Sequence, residues 1–285
     1  MAARPPLRPR LGFVIAGRPV GSVEPDDARL LAGELAGLVL DDQALSLRPG
    51  AGRGRGGATG GDDTTDGLLA AIARILHDAG RLGPWRDEDL PVLAEDDTML
   101  GCIERSAARV LGLRTLAVHL VGWRAGEDRA GEGRTDDGRG DHGMWVQRRA
   151  PDKAVDPGRR DTLAGGMVGV HGAAGERRIE SLAAAMRREA DEEAGVPAAT
   201  PLRRSDGPSI RIARPVAEGY MVEDLVGFEA VLDAGFAPVN RDGEVAGFEC
   251  LAPDALVERI GRGEFTLEAS LLILGLLRRG GRAGS

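Results

Sequence analysis

The chain has 285 residues, room for one large domain or two modest ones. Lys plus Arg number 37 and Asp plus Glu 45, a formal net charge of −8; such an acidic chain lacks the basic surface with which nucleic-acid and membrane binders meet phosphates. Hydrophobic residues make up 42 % but aromatics only 3 %, so the core must rest on Leu, Val, Ile and Ala. No apolar run approaches the roughly 20 residues that span a bilayer, and residues 1–10, rich in Arg and Pro, are not followed by the apolar stretch of a signal peptide. Cys102 and Cys250 stand far apart, outside any Cys-x-x-Cys pair, which reads as two reduced, packed thiols of a cytoplasmic protein.

In chain order, residues 11–23 predict a hairpin turning at Ala16-Gly17-Arg18. Leu30, Leu31, Leu35, Leu38 and Val39 recur at helical spacing over 26–40, with Asp26 and Asp27 as N-terminal caps. Residues 48–66 are Gly-rich with nothing to bury; without a strand–turn–helix setting they read as a solvated, mobile linker rather than a nucleotide loop. An amphipathic helix follows at 68–79, capped by Thr64 or Thr65 and ended by Gly80. Residues 98–112 predict another helix, with Met99, Cys102, Ile103, Ala107, Val110 and Leu111 on one side. Strands at 114–122 and 144–149 form a hairpin with an oversized polar tip at 125–142. A short strand is expected at 161–170 and a helix at 181–194, stopped by Gly195 and Pro197. Strands at 210–216, 219–232 and 244–251, a turn at 240–243 and helices at 253–262 and 266–279 complete an α+β pattern.

The informative segment is 180–196, ESLAAAMRREADEEAGV. On a wheel of about 100° per residue, Leu182, Met186 and Ala190 define a buried stripe, and Glu189 and Glu193 fall inside it. Glu192 sits on its edge; Asp191 and Arg187 lie on the opposite, wet side. A charged helix with a solvated face explains Asp191 and Arg187 but not the two inward carboxylates, whose burial is costly without a compensating cation or hydrogen bonds. Glu189, Glu192 and Glu193, at i, i+3 and i+4, converge within reach of one or two hard cations. An all-oxygen donor set, without Cys or a His pair, favours Mg²⁺ or Mn²⁺ over Zn²⁺.

Glu180, seven residues, then Arg188-Glu189-Ala190-Asp191-Glu192-Glu193-Ala194-Gly195-Val196 resembles the Nudix box, the signature of metal-dependent hydrolases of diphosphates linked to another moiety. The resemblance implies that Glu189, Glu192 and Glu193 are metal ligands or position the attacking water, and that Arg188 and Glu180 form a salt bridge bracing loop against helix. Where the box has Gly six residues before Glu180, this chain has Ala174, with Gly175 beside it, and the preceding loop is longer than usual. The runs 103–108, 111–112, 117–122, 144–149, 152–153, 164–166 and 238–245, with Phe248, resemble the thiamine pyrophosphokinase-related Nudix hydrolases, as does the hairpin at 11–23. Asp156 stands where that group carries an aromatic residue.

The expected architecture is therefore a smaller N-terminal α+β domain, 1–112, and a Nudix-type α/β/α sandwich with a mixed sheet, 113–285. The expected activity is metal-dependent hydrolysis of a small organic diphosphate, thiamine diphosphate or its oxidised or damaged analogues, giving the monophosphate and phosphate. A general nucleoside diphosphate-X hydrolase and a non-catalytic ligand-binding protein of the same fold are the alternatives. The expected partner is the small-molecule substrate, without nucleic acid or membrane, and a homodimer is left open. Arg148, Arg149 and Lys153 form a basic cluster before the box, either surface charges or a diphosphate clamp. Glu244 is either a turn residue or an extra carboxylate for the site. His119 in its apolar strand reads as a core histidine against a catalytic base. Trp85, Trp123 and Trp145 read as core against stacking platforms.

Overall fold

The structure is a computed structural model that describes residues 2–50, 64–125, 143–173, 176–206 and 209–279. Most of the Gly-rich stretch at 48–66, most of the hairpin tip at 125–142, and Ala174 with Gly175 lie outside the described residues. Two compact units divide the chain. The first comprises Met1–Leu116, Val168–Glu180 and Arg211–Asp224, the second Ala117–Met167, Ser181–Ile210 and Leu225–Ser285.

In the first unit the hairpin Leu11–Ile15/Arg18–Val23 turns at Ala16 and Gly17, whose φ angles of 49° and 80° favour small residues. Leu11–Ile15 also pairs in parallel with Ala44–Leu47, which continues antiparallel to Leu38–Leu40. Period-two alternation turns Phe13, Ile15, Leu45 and Leu47 inward. The helix expected over 26–40 is shorter, Pro25–Glu34. Gly37 adopts φ 97° and the following Leu38–Leu40 is a strand, so backbone pairing overrides the helical spacing of Leu38 and Val39. Its N-cap is Glu24 without a side-chain cap, and Asp26 and Asp27 stand in the first turn instead, favoured there by the helix dipole. Helix Thr65–Asp78 starts as expected, the Thr64 hydroxyl accepting from Gly67 N–H at 3.2 Å.

The helix expected over 98–112 is not there. Met99–Glu104 is a strand paired with Asp89–Leu93, followed by a single 3-10 turn, Arg105–Ala107. The apolar residues fit both periods over so short a run. What decides is close packing: a Cβ on Gly101 would lie 2.8 Å from both Asp66 Oδ1 and Leu69 Cδ1 of the neighbouring helix. Both cysteines are free thiols, Cys102 buried and Cys250 half-buried.

In the second unit, the part of strand Arg114–Arg124 from Ala117 onward pairs antiparallel with Met144–Arg149 (Gly122 opposite Trp145) and with Ala164–Met167 (Gly165 opposite His119). Met144–Arg149 pairs in turn with Arg160–Asp161 and with Val245–Leu251. The stretch expected as one strand at 161–170 is thus split: Asp161 is the last residue paired with Met144–Arg149, and Ala164–Met167 pairs with the other strand. Helix Leu182–Ala194 packs on Ala164–Met167. It opens with the Ser181 hydroxyl accepting from Ala184 N–H at 3.1 Å and closes on Gly195, whose φ of 62° and ψ of 30° are left-handed. Helices Pro253–Gly261 and Leu267–Arg279 fall where the sequence places them, the latter burying Leu272, Ile273, Leu276 and Leu277. The α+β class with a mixed sheet is the one expected. No helix among the described residues is long and apolar enough to cross a membrane.

Candidate metal centre

The helix Leu182–Ala194 buries the stripe its spacing predicts from Met186 onward, while Leu182, expected at the stripe's centre, is only half-buried. Ala185, Met186, Ala190 and Ala194 are fully buried, and Glu189 and Glu193 lie among them at 8 % and 1 % exposure. Glu192 is half-buried and Asp191 exposed. Arg187, expected on the wet face, donates to the carbonyl of Thr200 at 2.8 Å and ties the helix to the segment after it.

One glycine lets this helix approach the strand Ala164–Met167, and the backbone of its neighbour holds one of the helix's carboxylates. The backbone N–H of Gly165 donates to Glu193 Oε2 at 2.8 Å. A Cβ on Gly166 would collide with all three atoms of the Glu189 carboxylate, so the carboxylate occupies the space that the missing side chain leaves. Gln147 Nε2, from the strand Met144–Arg149, donates to the same Glu193 oxygen at 2.9 Å. Arg188 Nη1 donates to Glu189 Oε1 at 2.7 Å and to Glu192 Oε2 at 3.3 Å, while its Nη2 reaches the carbonyl of Met167 at 3.2 Å. Arg188 thus fixes the two box carboxylates that Gly165 and Gln147 do not hold.

The turn at 240–244 brings further carboxylates to the end of the helix. The backbone N–H groups of Arg241 and Val239 donate to the carbonyls of Glu192 and Ala194, at 2.9 and 3.0 Å. Asn240 Oδ1 accepts from Asp242 and Gly243 N–H, and Asp242 Oδ1 accepts from Glu244 N–H at 2.8 Å. In consequence Glu193, Asp242 and Glu244 each place a carboxylate oxygen within 4.8 Å of the others. Lys153 completes the group: its ammonium is paired with Glu244 and stands 3.9 Å from Glu193 Oε1.

Burial pushes the Glu193 carboxyl up to about 7; the Gly165 N–H opposes this and the charge of Glu189 adds to it. Burial also raises Asp242, against the pull of Lys153. Carboxylates crowded until their ionised forms are disfavoured are what a bound cation relieves. The donor set consists of hard oxygens without thiol or imidazole, and it fits Mg²⁺ or Mn²⁺.

The other predicted residues lie as follows. Arg149 is engaged with the carbonyl of Val155, at 3.0 and 3.1 Å, and with Asp161 at 3.1 Å. Arg148 is exposed and donates to the carbonyl of Gly158. Of the basic cluster, Lys153 is the member in contact with the carboxylates. His119 faces Thr162 Oγ1 at 2.9 Å and Asp161 Oδ1 at 3.4 Å, buried at 7 % exposure, the setting of a core histidine. Asp161 is itself fully buried; the hydrogen bond and charge of His119, with Arg149 and the Thr162 N–H, outweigh that burial and bring it down to about 2. Glu180 belongs to the first unit, where its carboxylate, 7 % exposed, lies 3.5 Å from His171 Nε2. Trp123 donates to buried Glu229, and Trp145 meets Phe236 edge to face at 6.5 Å. Trp85, 38 % exposed, stands edge-on to His77. Asp242 and Gln147 are the site residues the sequence reading missed. The signals were there: Asp242 sits in a turn motif two residues before Glu244, and Gln147 is a polar residue in an apolar strand.

No family model matches the chain, and no curated protein matches it. Among solved structures it is similar to DR0079 from Deinococcus radiodurans, at 24 % identity and a TM-score of 0.46 over 65 % of this chain and 97 % of that one. It is also similar to a Nudix hydrolase from Alicyclobacillus acidocaldarius, at 18 % identity and a TM-score of 0.41 over 57 % and 91 % of the two chains. A third is the Nudix domain of Shewanella oneidensis NrtR in complex with ADP ribose, at 14 % identity and a TM-score of 0.40 over 58 % and 88 %.

Proposed function

We propose that the chain is a Nudix-type hydrolase that uses Mg²⁺ or Mn²⁺ to cleave the diphosphate of a small organic molecule. The observation that carries this reading is the meeting of buried Glu193 with Asp242 and Glu244 beside the Arg188-held pair Glu189 and Glu192. When bound, the cation supplies charge neutralisation at the diphosphate and a more acidic water. Glu193, Asp242 and Glu244 would hold it, and the resemblance adds Glu189 and Glu192 as ligands. Arg188 keeps Glu189 and Glu192 in place; the resemblance assigns Glu180 a bracing part. Glu244, paired with Lys153 and with 40 % of its side chain exposed, would supply the site with an extra carboxylate able to take up the proton of the attacking water. Lys153, which stands at the carboxylates, would contribute positive charge for the phosphates; Arg148 and Arg149 add only the flanking charges of the same basic run. Attack of water on phosphorus then yields a monophosphate and inorganic phosphate.

The substrate we propose is thiamine diphosphate or, with more reason, an oxidised analogue. A pocket that hydrogen-bonds an added oxo group and offers no partner to the thiazolium charge discriminates in favour of the damaged, neutral ring. This part rests on the resemblance of segments outside the box, including the N-terminal domain. The test is kcat/KM for oxothiamine diphosphate, thiamine diphosphate, ADP-ribose and deoxynucleoside triphosphates, measured side by side. Oxothiamine diphosphate is expected to lead. A tenfold lead by ADP-ribose or a deoxynucleotide, about 1.4 kcal/mol of transition-state binding, refutes the thiamine reading and leaves a general diphosphate hydrolase.

A further inference from the structure

Of the 37 Lys and Arg residues in the chain, a single one is a lysine, Lys153. Everywhere else the chain uses arginine, and several of these side chains make fixed ties. Arg149 binds a carbonyl and Asp161, and Arg160 binds Glu249 and Glu264. The lone lysine stands in the carboxylate cluster, paired with Glu244 and 3.9 Å from Glu193, with 17 % of its side chain exposed. Its segment is fastened there: Ala150 N–H donates to the carbonyl of Glu244 at 3.0 Å, and Lys153 N–H to that of Ala150 at 3.2 Å.

The choice of lysine has a physical meaning at such a place. A guanidinium is a planar fork that locks onto a carboxylate through two parallel bonds. An ammonium is a compact point charge on a flexible four-carbon stem. It is a strongly hydrated unit charge, and it leaves by rotating its own stem without disturbing the backbone. Three carboxylates that repel one another need a cation whether or not metal is present.

We propose that Lys153 is a tethered counter-ion that shares Glu193 and Glu244 with the divalent cation, holding the carboxylate cluster together without metal and being displaced when metal binds. This inference rests on the metal-site reading above.

The test is Mn²⁺ binding by isothermal titration calorimetry, without substrate. The wild type is compared with Lys153→Met, Lys153→Gln and Lys153→Arg, and with Arg262→Met. Arg262 is an exposed residue paired with Glu258, and its loss changes the net charge equally, away from the cluster. Removing a competing unit charge at this range tightens Mn²⁺ binding by at least about fivefold in Lys153→Met and Lys153→Gln. Lys153→Arg, which keeps the charge, binds no tighter than the wild type, and Arg262→Met stays within about twofold of it. Equal affinity across all five proteins, or weaker binding in the Met and Gln variants, overturns the counter-ion role while leaving the metal site standing. Equal tightening in Arg262→Met overturns it too, since net charge alone is then responsible. If the wild type and every variant fail to bind Mn²⁺, the metal-site reading itself falls, and the inference with it.

Discussion

Replacing Glu193 by Gln should stabilise the protein when no divalent cation is bound, by an amount that depends on pH in a defined way. Glu193 is 1 % exposed, and burial raises its carboxyl from an ordinary 4.5 to about 7. A group whose folded value lies above its unfolded one supports folding fully below the unfolded value, and that support is lost as pH rises through the folded value. The folded protein is therefore penalised progressively between about pH 4.5 and 7, and fully above that. At about 1.4 kcal/mol per unit, the penalty reaches about 3 kcal/mol at pH 8. Gln removes it and keeps an oxygen to accept from Gly165 N–H, but it loses one of the two acceptor oxygens, at a cost of about 1 kcal/mol. Glu193→Gln is then about 2 kcal/mol more stable than the wild type in chelator at pH 8, with the gain gone at pH 4.5. Urea unfolding at the two pH values measures this. Saturating Mn²⁺ should reverse the order at pH 8, because it stabilises only the protein that binds it. A wild type at least as stable as the variant at pH 8 in chelator, or a difference indifferent to pH, would refute the reasoning.

Gly166→Ala forces a Cβ into the Glu189 carboxylate; hydrolysis should fall at least about a hundredfold and unfolding free energy by about 1–3 kcal/mol, read from kcat and urea unfolding. Arg188→Ala, which frees Glu189 and Glu192, should lower activity at least about tenfold, whereas Arg187→Ala should cost under about 1 kcal/mol of stability and leave activity nearly intact. Equal losses of activity in the two would remove the positioning role of Arg188. Asp161→Asn leaves Arg149 and His119 without their carboxylate and should cost about 2–4 kcal/mol at pH 7. Since Asp161 lies near 2 when folded and 3.8 is its ordinary value, its contribution is present above about pH 4 and is lost as pH falls toward 2. The mutant and wild type should therefore converge in unfolding experiments at low pH.

The acidic helix was legible because its two signals are local. The 3.6-residue period sorts Glu189 and Glu193 from Asp191, and Ser181 and Gly195 mark its ends in the backbone itself. The strands expected at 114–122 and 144–149 were legible for the same reason, each carrying Val and Trp or Thr in a short run that no helical period fits. Residues 98–112 were not, since an apolar set over so few positions satisfies helix and strand alike, and the choice was made by the partner strand Asp89–Leu93 and by the contact of Gly101 with Asp66 and Leu69. The strand Leu38–Leu40 was hidden in the same way, inside a spacing that continued the helix before it. At the site, Glu244 could be suspected from its turn, but its approach to Glu193 depends on hydrogen bonds from Val239 and Arg241 to the end of a helix some 45 residues earlier. Asp242 reaches Glu193 through the same closure and Gln147 through the strand Met144–Arg149; the turn motif and the amide were visible locally, their meeting with Glu193 was not.

The most direct test of the central claim, that the carboxylates of the helix and the turn hold a divalent cation for diphosphate hydrolysis, is product formation from a diphosphate panel with and without Mg²⁺ or Mn²⁺. It should be run on the wild type, Glu193→Gln and Glu244→Gln, each shown to be folded. The account predicts strictly metal-dependent turnover of at least one substrate by the wild type and a loss of at least about a hundredfold in Glu193→Gln, with a smaller loss in Glu244→Gln. Turnover that survives chelation, or full activity in Glu193→Gln, would contradict it.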